Sequence, residues 1–186
     1  MRSLNRPVSK VAPILALALV TLAPLSEGNA ALIRPEADQS FPDLSGDIVG
    51  TQSYFYDPVA KSGTFVVNNT PTLLAVGPNA ASESFINDSP ETIRSQSLLI
   101  RLDANGALLN DPSNSFKVSG TITVDGESFT GVLLEGTPTS FGWASQNPAT
   151  PTMSVFDVNM TLTGGYLKEA YGPDAYLRII TETNST

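Results

Sequence analysis

The sequence predicts an all-β fold, an antiparallel sandwich or barrel of roughly nine short strands that follows a signal peptide. From residue 47 onward, short runs of apolar and β-branched residues alternate with clusters of Gly, Pro, Asn, Asp and Ser. No window of a dozen residues keeps the apolar spacing of a helix. Residues 117–136 contain two alternating runs around an Asp-Gly pair, which is a strong signal for a β-hairpin.

The N-terminal segment predicts export. Three basic residues lie among the first ten, residues 11–25 form an apolar run broken by two prolines, and residues 28–30 are Gly-Asn-Ala. This order of regions is typical of a secretory signal peptide cleaved after Ala30. A transmembrane anchor is the alternative, but a span needs about 20 apolar residues. We therefore expect residues 1–30 to be removed and the protein to be secreted or held at the cell surface.

We divide the remaining 156 residues into an extended arm, 31–46, and one all-β domain, 47–186. The charge of these residues limits their partners. The whole chain has a net charge of −8, and loss of the signal peptide leaves seven basic and seventeen acidic residues, a net charge of −10. Phosphate backbones require a basic surface, so nucleic acid is excluded as an expected partner. No second segment is apolar enough to predict a membrane span.

The chain contains no cysteine and no histidine. This excludes Ser-His-Asp and Cys-His nucleophiles, and it excludes zinc sites built on His or Cys. An exported domain without disulfides depends on its apolar core for stability. Any metal ion would have oxygen ligands.

The predicted strands are separated by residues that favour turns. Residues 47–56 end at Asp57-Pro58 and form a hairpin with residues 63–68 across a five-residue connection. The strands and short apolar steps outside the 117–136 hairpin are residues 47–56, 63–68, 72–76, 95–102, 107–109, 140–144, 153–162 and 175–183. The predicted loops are residues 77–92, 111–115 and 146–152, and residues 166–171 have the composition of one helical turn.

The Asp125-Gly126 turn sets a register for its hairpin. In that register Gly120 lies opposite Gly131, and Val118 lies opposite Leu133. One face carries apolar residues and the other carries Ser and Thr, as expected for a sheet with one solvated side. The two glycines leave a dent, which we expect a ring to fill. The candidate rings are Phe141 and Trp143.

Three aromatic residues are candidates for ligand binding. Tyr54 and Tyr56 are two residues apart on a predicted strand, so their side chains share one face. If they are exposed, they and Trp143 could stack on sugar rings. The alternative is that all three belong to the core, where large aromatic residues usually lie.

Acidic residues give two further hypotheses. Asp103, Asn105 and Asp111 lie close together in sequence and could bind Ca²⁺ through oxygen atoms. The same residues are also good turn formers, which explains them without a metal. A carboxylate-dependent hydrolase would require a pair of acids. The candidates for such a pair are Asp125, Glu127, Glu135 and Asp157, and no catalytic residue is assigned.

Residues 95–142 and a later segment resemble a family of exported bacterial proteins. The segments are SLLIRLDANG, FKVSGTITVDG, TGVLLEGTPTSFG and MTLTGGYL. They are similar to those of β-rich PEP-CTERM proteins and cover about half of the mature chain. This chain departs from that group because it ends at Thr186 without the Pro-Glu-Pro sorting tail, so it is either truncated or released. The resemblance implies a surface or matrix protein and identifies no functional residue.

The leading functional hypothesis is therefore a non-catalytic exported β-domain with a structural or interaction role at the cell surface or extracellular matrix. A carbohydrate-binding module is the first alternative and a carboxylate-dependent hydrolase the second. The expected partners are polysaccharides or other surface proteins. No cofactor is expected, apart from the Ca²⁺ hypothesis.

Overall fold

The computed structural model describes residues 33, 42–47, 49–77, 79–145 and 153–182, and its architecture confirms the all-β prediction. The described residues form ten strands, one 3₁₀ turn, Ala80–Ser82, and one helical turn, α1, Lys168–Tyr171. The strands are β1 (Asp43–Gly46), β2 (Thr51–Asp57), β3 (Ser62–Asn69), β4 (Pro71–Ala75), β5 (Glu83–Asn87), β6 (Ser95–Asp103), β7 (Ser115–Val124), β8 (Glu127–Ser145), β9 (Met153–Gly164) and β10 (Asp174–Glu182).

All described strands belong to one antiparallel sheet that curls into a half-barrel. Its main path is β2-β3-β6-β7-β8-β9-β10, and a smaller group, β1-β4-β5, joins the same sheet where β5 pairs with β7. β5 and β6 follow one another along the same edge of β7, because β6 pairs with residues 115–119 and β5 with residues 121–122. Among the described strands, β2 and β10 are therefore the two ends of the main path.

The β7–β8 hairpin largely follows the predicted register. Asp125 and Gly126 have positive φ angles of 52° and 82°, as a type I′ turn requires, and Gly120 pairs with Gly131. The predicted pairing of Val118 with Leu133 is wrong. A bulge between Val118 and Ser119 shifts the register, so that Val118 pairs with Leu134.

The prediction that a ring fills the glycine dent is also wrong. A side chain at Gly120 would meet Ile86 of β5, while nothing lies within 4 Å of the equivalent position at Gly131. Phe141 and Trp143 instead lie further along β8, where Phe141 belongs to the core and Trp143 packs against it. The Gly120 side of the dent is thus filled by an aliphatic side chain of β5, a strand within the predicted loop 77–92.

The core lies on the concave face of the half-barrel. Phe65 of β3 contacts Phe156 and Phe141 across the interior, with ring centroids 4.9 Å and 5.6 Å apart. The other fully buried apolar side chains come from almost every strand and include Leu74, Ile86, Leu98, Ile100, Val118, Ile122, Leu133, Leu134, Val158 and Met160. Cross-interior contacts of this kind join the two ends of a curled sheet into one apolar core.

Several element boundaries differ from the predictions. Residues 77–92 contain β5 and the 3₁₀ turn rather than only a loop, and β8 runs through 19 residues without a break. The short return 107–109 forms a single bridge from Leu108 to Leu102, and the predicted helical turn is confirmed by α1. The loop 146–152, the signal peptide 1–30 and most of the arm 31–46 lie outside the described residues. In the described part of the chain, no helix is both long enough and apolar enough to cross a membrane.

Candidate functional site

The candidate site is strand β2, which lies at one end of the sheet. β2 pairs with β3 through seven residues in unbroken register, with Tyr54 opposite Phe65 and Tyr56 opposite Gly63. Asp57 shapes the connection between the two strands, because its Oδ1 accepts hydrogen bonds from the backbone N–H groups of Val59 and Ala60, at 2.8 Å and 3.0 Å. Within the described part of the chain, no strand pairs with the other edge of β2.

Three consecutive aromatic side chains of β2 are exposed. Tyr54 retains 51% of its accessible surface, Phe55 67% and Tyr56 48%. Because side chains alternate along a strand, Tyr54 and Tyr56 share the concave face and Phe55 lies on the opposite face. Large aromatic residues are usually much more buried than this. We call this surface, Tyr54, Phe55 and Tyr56 on the edge strand β2, the aromatic edge.

Gly63 determines how Tyr54 lies on the sheet. A Cβ atom at Gly63 would overlap the ring and the hydroxyl of Tyr54, so the phenol rests directly over the glycine backbone. Gly in a strand often marks such a close approach. The Tyr54 ring is therefore held in place on the concave face by its neighbour on β3, while about half of it stays open to solvent.

Trp143 lies apart from the exposed aromatic residues. It lies opposite Phe156 on β9 and is partly buried against the core. Gly106 is a close neighbour, because a Cβ atom added at that glycine would lie 3.7 Å from the indole nitrogen of Trp143. Phe156 contacts Phe65, which pairs with Tyr54. Tyr54 and Trp143 thus lie at opposite ends of a row of four aromatic residues, of which only the Tyr54 end is half exposed.

Phe55 is the residue that the sequence analysis missed. It is the most exposed of the three aromatic residues of β2, yet only Tyr54 and Tyr56 were proposed for binding. Three adjacent aromatic residues in one predicted strand were a usable signal, because side chains alternate and both faces of that strand must then carry a ring. Burying both faces is uncommon in a strand of an antiparallel sheet.

The electrostatics around the aromatic edge are simple. From Gly50 to Tyr56 the chain carries no charged residue, and Asp57 lies at the end of β2. The backbone hydrogen bonds from Ala60 and Val59 lower the pKa of Asp57, and Arg101 lowers it further. Arg101 lies on the outer face and donates hydrogen bonds to the hydroxyl groups of Thr64 and Ser62. The edge itself is an uncharged aromatic surface.

The residues of the calcium hypothesis are engaged in turns. Asp103 Oδ1 accepts hydrogen bonds from the backbone N–H groups of Asn105, at 2.8 Å, and Ala107, at 2.9 Å. Asp111 Oδ1 accepts hydrogen bonds from the hydroxyl and the backbone N–H of Ser113. These hydrogen bonds lower the pKa of both carboxyl groups. The described residues contain no group of three or more acidic side chains arranged to hold a metal ion, and the calcium hypothesis stays a prediction.

The acids proposed for a hydrolase lie at different places in the fold. Asp125 and Glu127 are exposed at the tip of the β7–β8 hairpin. Glu135 pairs with Gly164, whereas Asp157 pairs with Gly142, seven residues further along β8. At about 3.3 Å per residue this places Glu135 and Asp157 about 20 Å apart, beyond the roughly 5–10 Å of a glycosidase pair. Asp157 is buried and bonded to Arg178.

Comparisons of the chain with known protein families, with curated proteins and with solved structures found no match. The arrangement of the chain's own residues is therefore the basis for inferring its function.

Proposed function

We propose that the protein is an exported, non-catalytic β-domain that works by binding at the cell surface or in the extracellular matrix. The observation that carries this proposal is the aromatic edge, three exposed aromatic side chains on a strand whose outer edge has no partner among the described residues. An exposed apolar patch of this kind is typical of an interaction site. Rings with polar hydroxyl tips are also enriched at binding surfaces.

The chemistry of the aromatic edge defines what it can bind. It offers ring faces, two phenol hydroxyl groups and one strand edge that has no partner among the described residues, and it has no charge between Gly50 and Tyr56. Such a surface suits the apolar face of a sugar ring or an extended strand of another protein. It does not suit a polyanion, since the chain has an overall charge of −8.

A carbohydrate-binding role is the second candidate, and one specific observation favours it. Tyr54 and Tyr56 lie on the same face, about 7 Å apart along the strand, and both are about half exposed. Tyr54 rests over Gly63, which gives the first ring a fixed position. Two rings on one face, of which Tyr54 is held in place, could each contact one sugar of a polysaccharide chain.

The test is retention of the exported protein on extracellular matrix preparations and on a panel of purified polysaccharides. Ligand binding to the folded protein should also raise its melting temperature. The test variant is the double substitution Tyr54→Ala and Tyr56→Ala. Phe85→Ala is the control, because Phe85 is an exposed ring on β5 and, at 69%, is more exposed than either tyrosine.

We expect the wild type and the Phe85→Ala variant to be retained and the double variant to be lost. Retention on polysaccharide alone would identify the carbohydrate-binding role. Equal retention of the double variant and the wild type, or no retention of either, would overturn the proposal.

A further inference from the structure

We propose that the aromatic edge binds a second copy of the same chain, with β2 of each copy pairing antiparallel about a two-fold axis at Phe55. This inference rests on the proposed function, since it names the partner of the surface already described. The two half-barrel sheets would then continue into one sheet across the pair. Strand addition at an exposed edge is a common mode of protein recognition.

The sequence of β2 is symmetrical about Phe55. In an antiparallel pair with its axis at this residue, Phe55 lies opposite its own copy and Tyr54 lies opposite Tyr56 of the other copy. Each of the three rings therefore meets a ring on the same face of the joined sheet. Aromatic pairs directly across two strands stabilise a sheet. A two-fold interface requires a self-complementary patch of this type.

Charge also favours a second copy. The chain repels its own copies on the whole, with a net charge of −8, but β2 is uncharged from Thr51 to Tyr56. In the proposed register Asp57 lies opposite Ser53, a hydroxyl that can donate a hydrogen bond to a carboxylate, and away from Asp57 of the other copy. At the aromatic edge, two acidic chains can therefore meet without like charges facing each other.

The other free edges of the described sheet differ from β2. β10 includes Asp174 and Arg178, and β1 is only four residues long and begins with Asp43. Short edge strands and charged residues are common ways by which proteins prevent edge-to-edge pairing. β2 has seven residues, no proline, no lysine and no bulge against β3. Of these three edges, β2 alone combines seven residues with a single charged residue, Asp57, at its end.

The exposed area at the aromatic edge can supply a large part of a specific interface. A fully covered aromatic side chain buries about 150–250 Å², so the exposed parts of six rings contribute at most about 650 Å². A specific interface requires about 1,000 Å² in total. The backbone edges of the two strands and the neighbouring Val59, which is also strongly exposed, can supply the remainder.

The experiment is sedimentation velocity of the exported protein over a range of concentrations. Phe55→Glu and Phe55→Lys each place two like charges directly opposite one another at the axis. Both changes fall on an exposed side chain, and thermal melting of each variant confirms that it is folded. Phe85→Glu is the matched control.

We expect a monomer–dimer equilibrium for the wild type and for Phe85→Glu. Each Phe55 variant alone should dissociate at least about tenfold more readily, because it loses a ring pair and gains a repulsion. An equimolar mixture of Phe55→Glu and Phe55→Lys should associate more tightly than either variant alone, since opposite charges then meet at the axis.

A wild-type protein that stays monomeric, or a dimer that neither Phe55 variant weakens, would overturn the inference. If the mixture of the two Phe55 variants associates no more tightly than each variant alone, the two-fold axis does not lie at Phe55. If the monomeric protein is still retained on matrix through Tyr54 and Tyr56, the second copy is excluded and the proposed function stands. If retention also fails, both are excluded.

Discussion

Asp157 and Arg178 lie directly opposite each other on β9 and β10 and form a bidentate ion pair. Arg178 Nε donates to Asp157 Oδ1 at 2.7 Å, and Arg178 Nη2 donates to Oδ2 at 2.9 Å. The Asp157 side chain is almost fully buried, whereas that of Arg178 is partly exposed. A buried carboxylate held by a guanidinium in this way fixes the register of the last two strands.

We expect Asp157→Asn to destabilise the fold by about 3–5 kcal/mol, because a partly buried guanidinium then loses its charged partner. The measurement is the free energy of unfolding in urea. Asp174→Asn is the matched control, since Asp174 is on β10 but exposed and accepts a hydrogen bond from Thr161. Equal stability of the two variants would show that the pair does not stabilise the sheet.

The three aspartates that shape turns predict loss of stability in acid. Asp57, Asp103 and Asp111 each have a pKa lowered by hydrogen bonds donated to the carboxylate. A lowered pKa in the folded state means that the ionised form stabilises the fold. This contribution is present above the ordinary pKa of 3.8 and is lost as the pH falls through the lower values of the folded protein.

We therefore expect the melting temperature to fall below about pH 4, and the fall to be smaller for a variant with Asn at all three positions. Asparagine can accept the same hydrogen bonds but does not titrate. Glu127→Gln, at the exposed hairpin tip, controls for loss of an acid. An acid profile of the triple variant that matches the wild type would contradict this prediction.

Because of Tyr171, we also expect the fold to lose stability at high pH. Burial raises the pKa of its phenol, and the carboxylate of Asp43 raises it further. The hydroxyl is buried and has no hydrogen-bond partner among the described residues. A raised pKa gives stability that is present below the ordinary value of 10.0 and is lost as the pH rises above it.

Tyr171→Phe should thus leave the melting temperature at pH 7 unchanged or raise it, since it removes an unpartnered buried hydroxyl. It should also reduce the loss of stability above pH 10. Thermal melts at pH 7 and above pH 10 check both effects, with Tyr176→Phe, an exposed phenol, as the control. Strong destabilisation at pH 7 would mean that the hydroxyl is bonded in the folded protein.

Export can be tested by the mass of the mature chain. The N-terminal segment predicts cleavage after Ala30, so the protein recovered outside the cell should begin at Ala31. Expression of the full chain with a C-terminal tag, followed by mass spectrometry of the secreted and cell-associated fractions, measures this directly. Full-length protein retained in the cytoplasm would contradict the prediction.

The local pattern of the sequence predicted the hairpins well. Asp125-Gly126 fixes the β7–β8 register for the first six pairs because a two-residue turn leaves no freedom. The bulge beyond Gly120 could not be predicted, since it depends on burying both Leu133 and Leu134 in a core built by distant strands. Likewise β5 is a strand because Ile86 packs over Gly120, a contact made between segments far apart in the chain.

The candidate site was only half predictable for the same reason. That Tyr54 and Tyr56 share a face follows from the period of a strand. Their exposure follows from the position of β2 at the end of the sheet, which the order of strand pairing decides. Trp143, in contrast, is partly buried against Phe156 and the core, and nothing near it in the sequence indicates this burial.

The most direct test of the binding edge is amide hydrogen exchange, residue by residue, with and without matrix and at low and high protein concentration. We expect exchange to slow at Thr51–Asp57 when the protein is bound, and exchange at Asp174–Glu182, at the opposite end of the sheet, to be unchanged. Slower exchange confined to other strands, with β2 unaffected, would contradict this expectation.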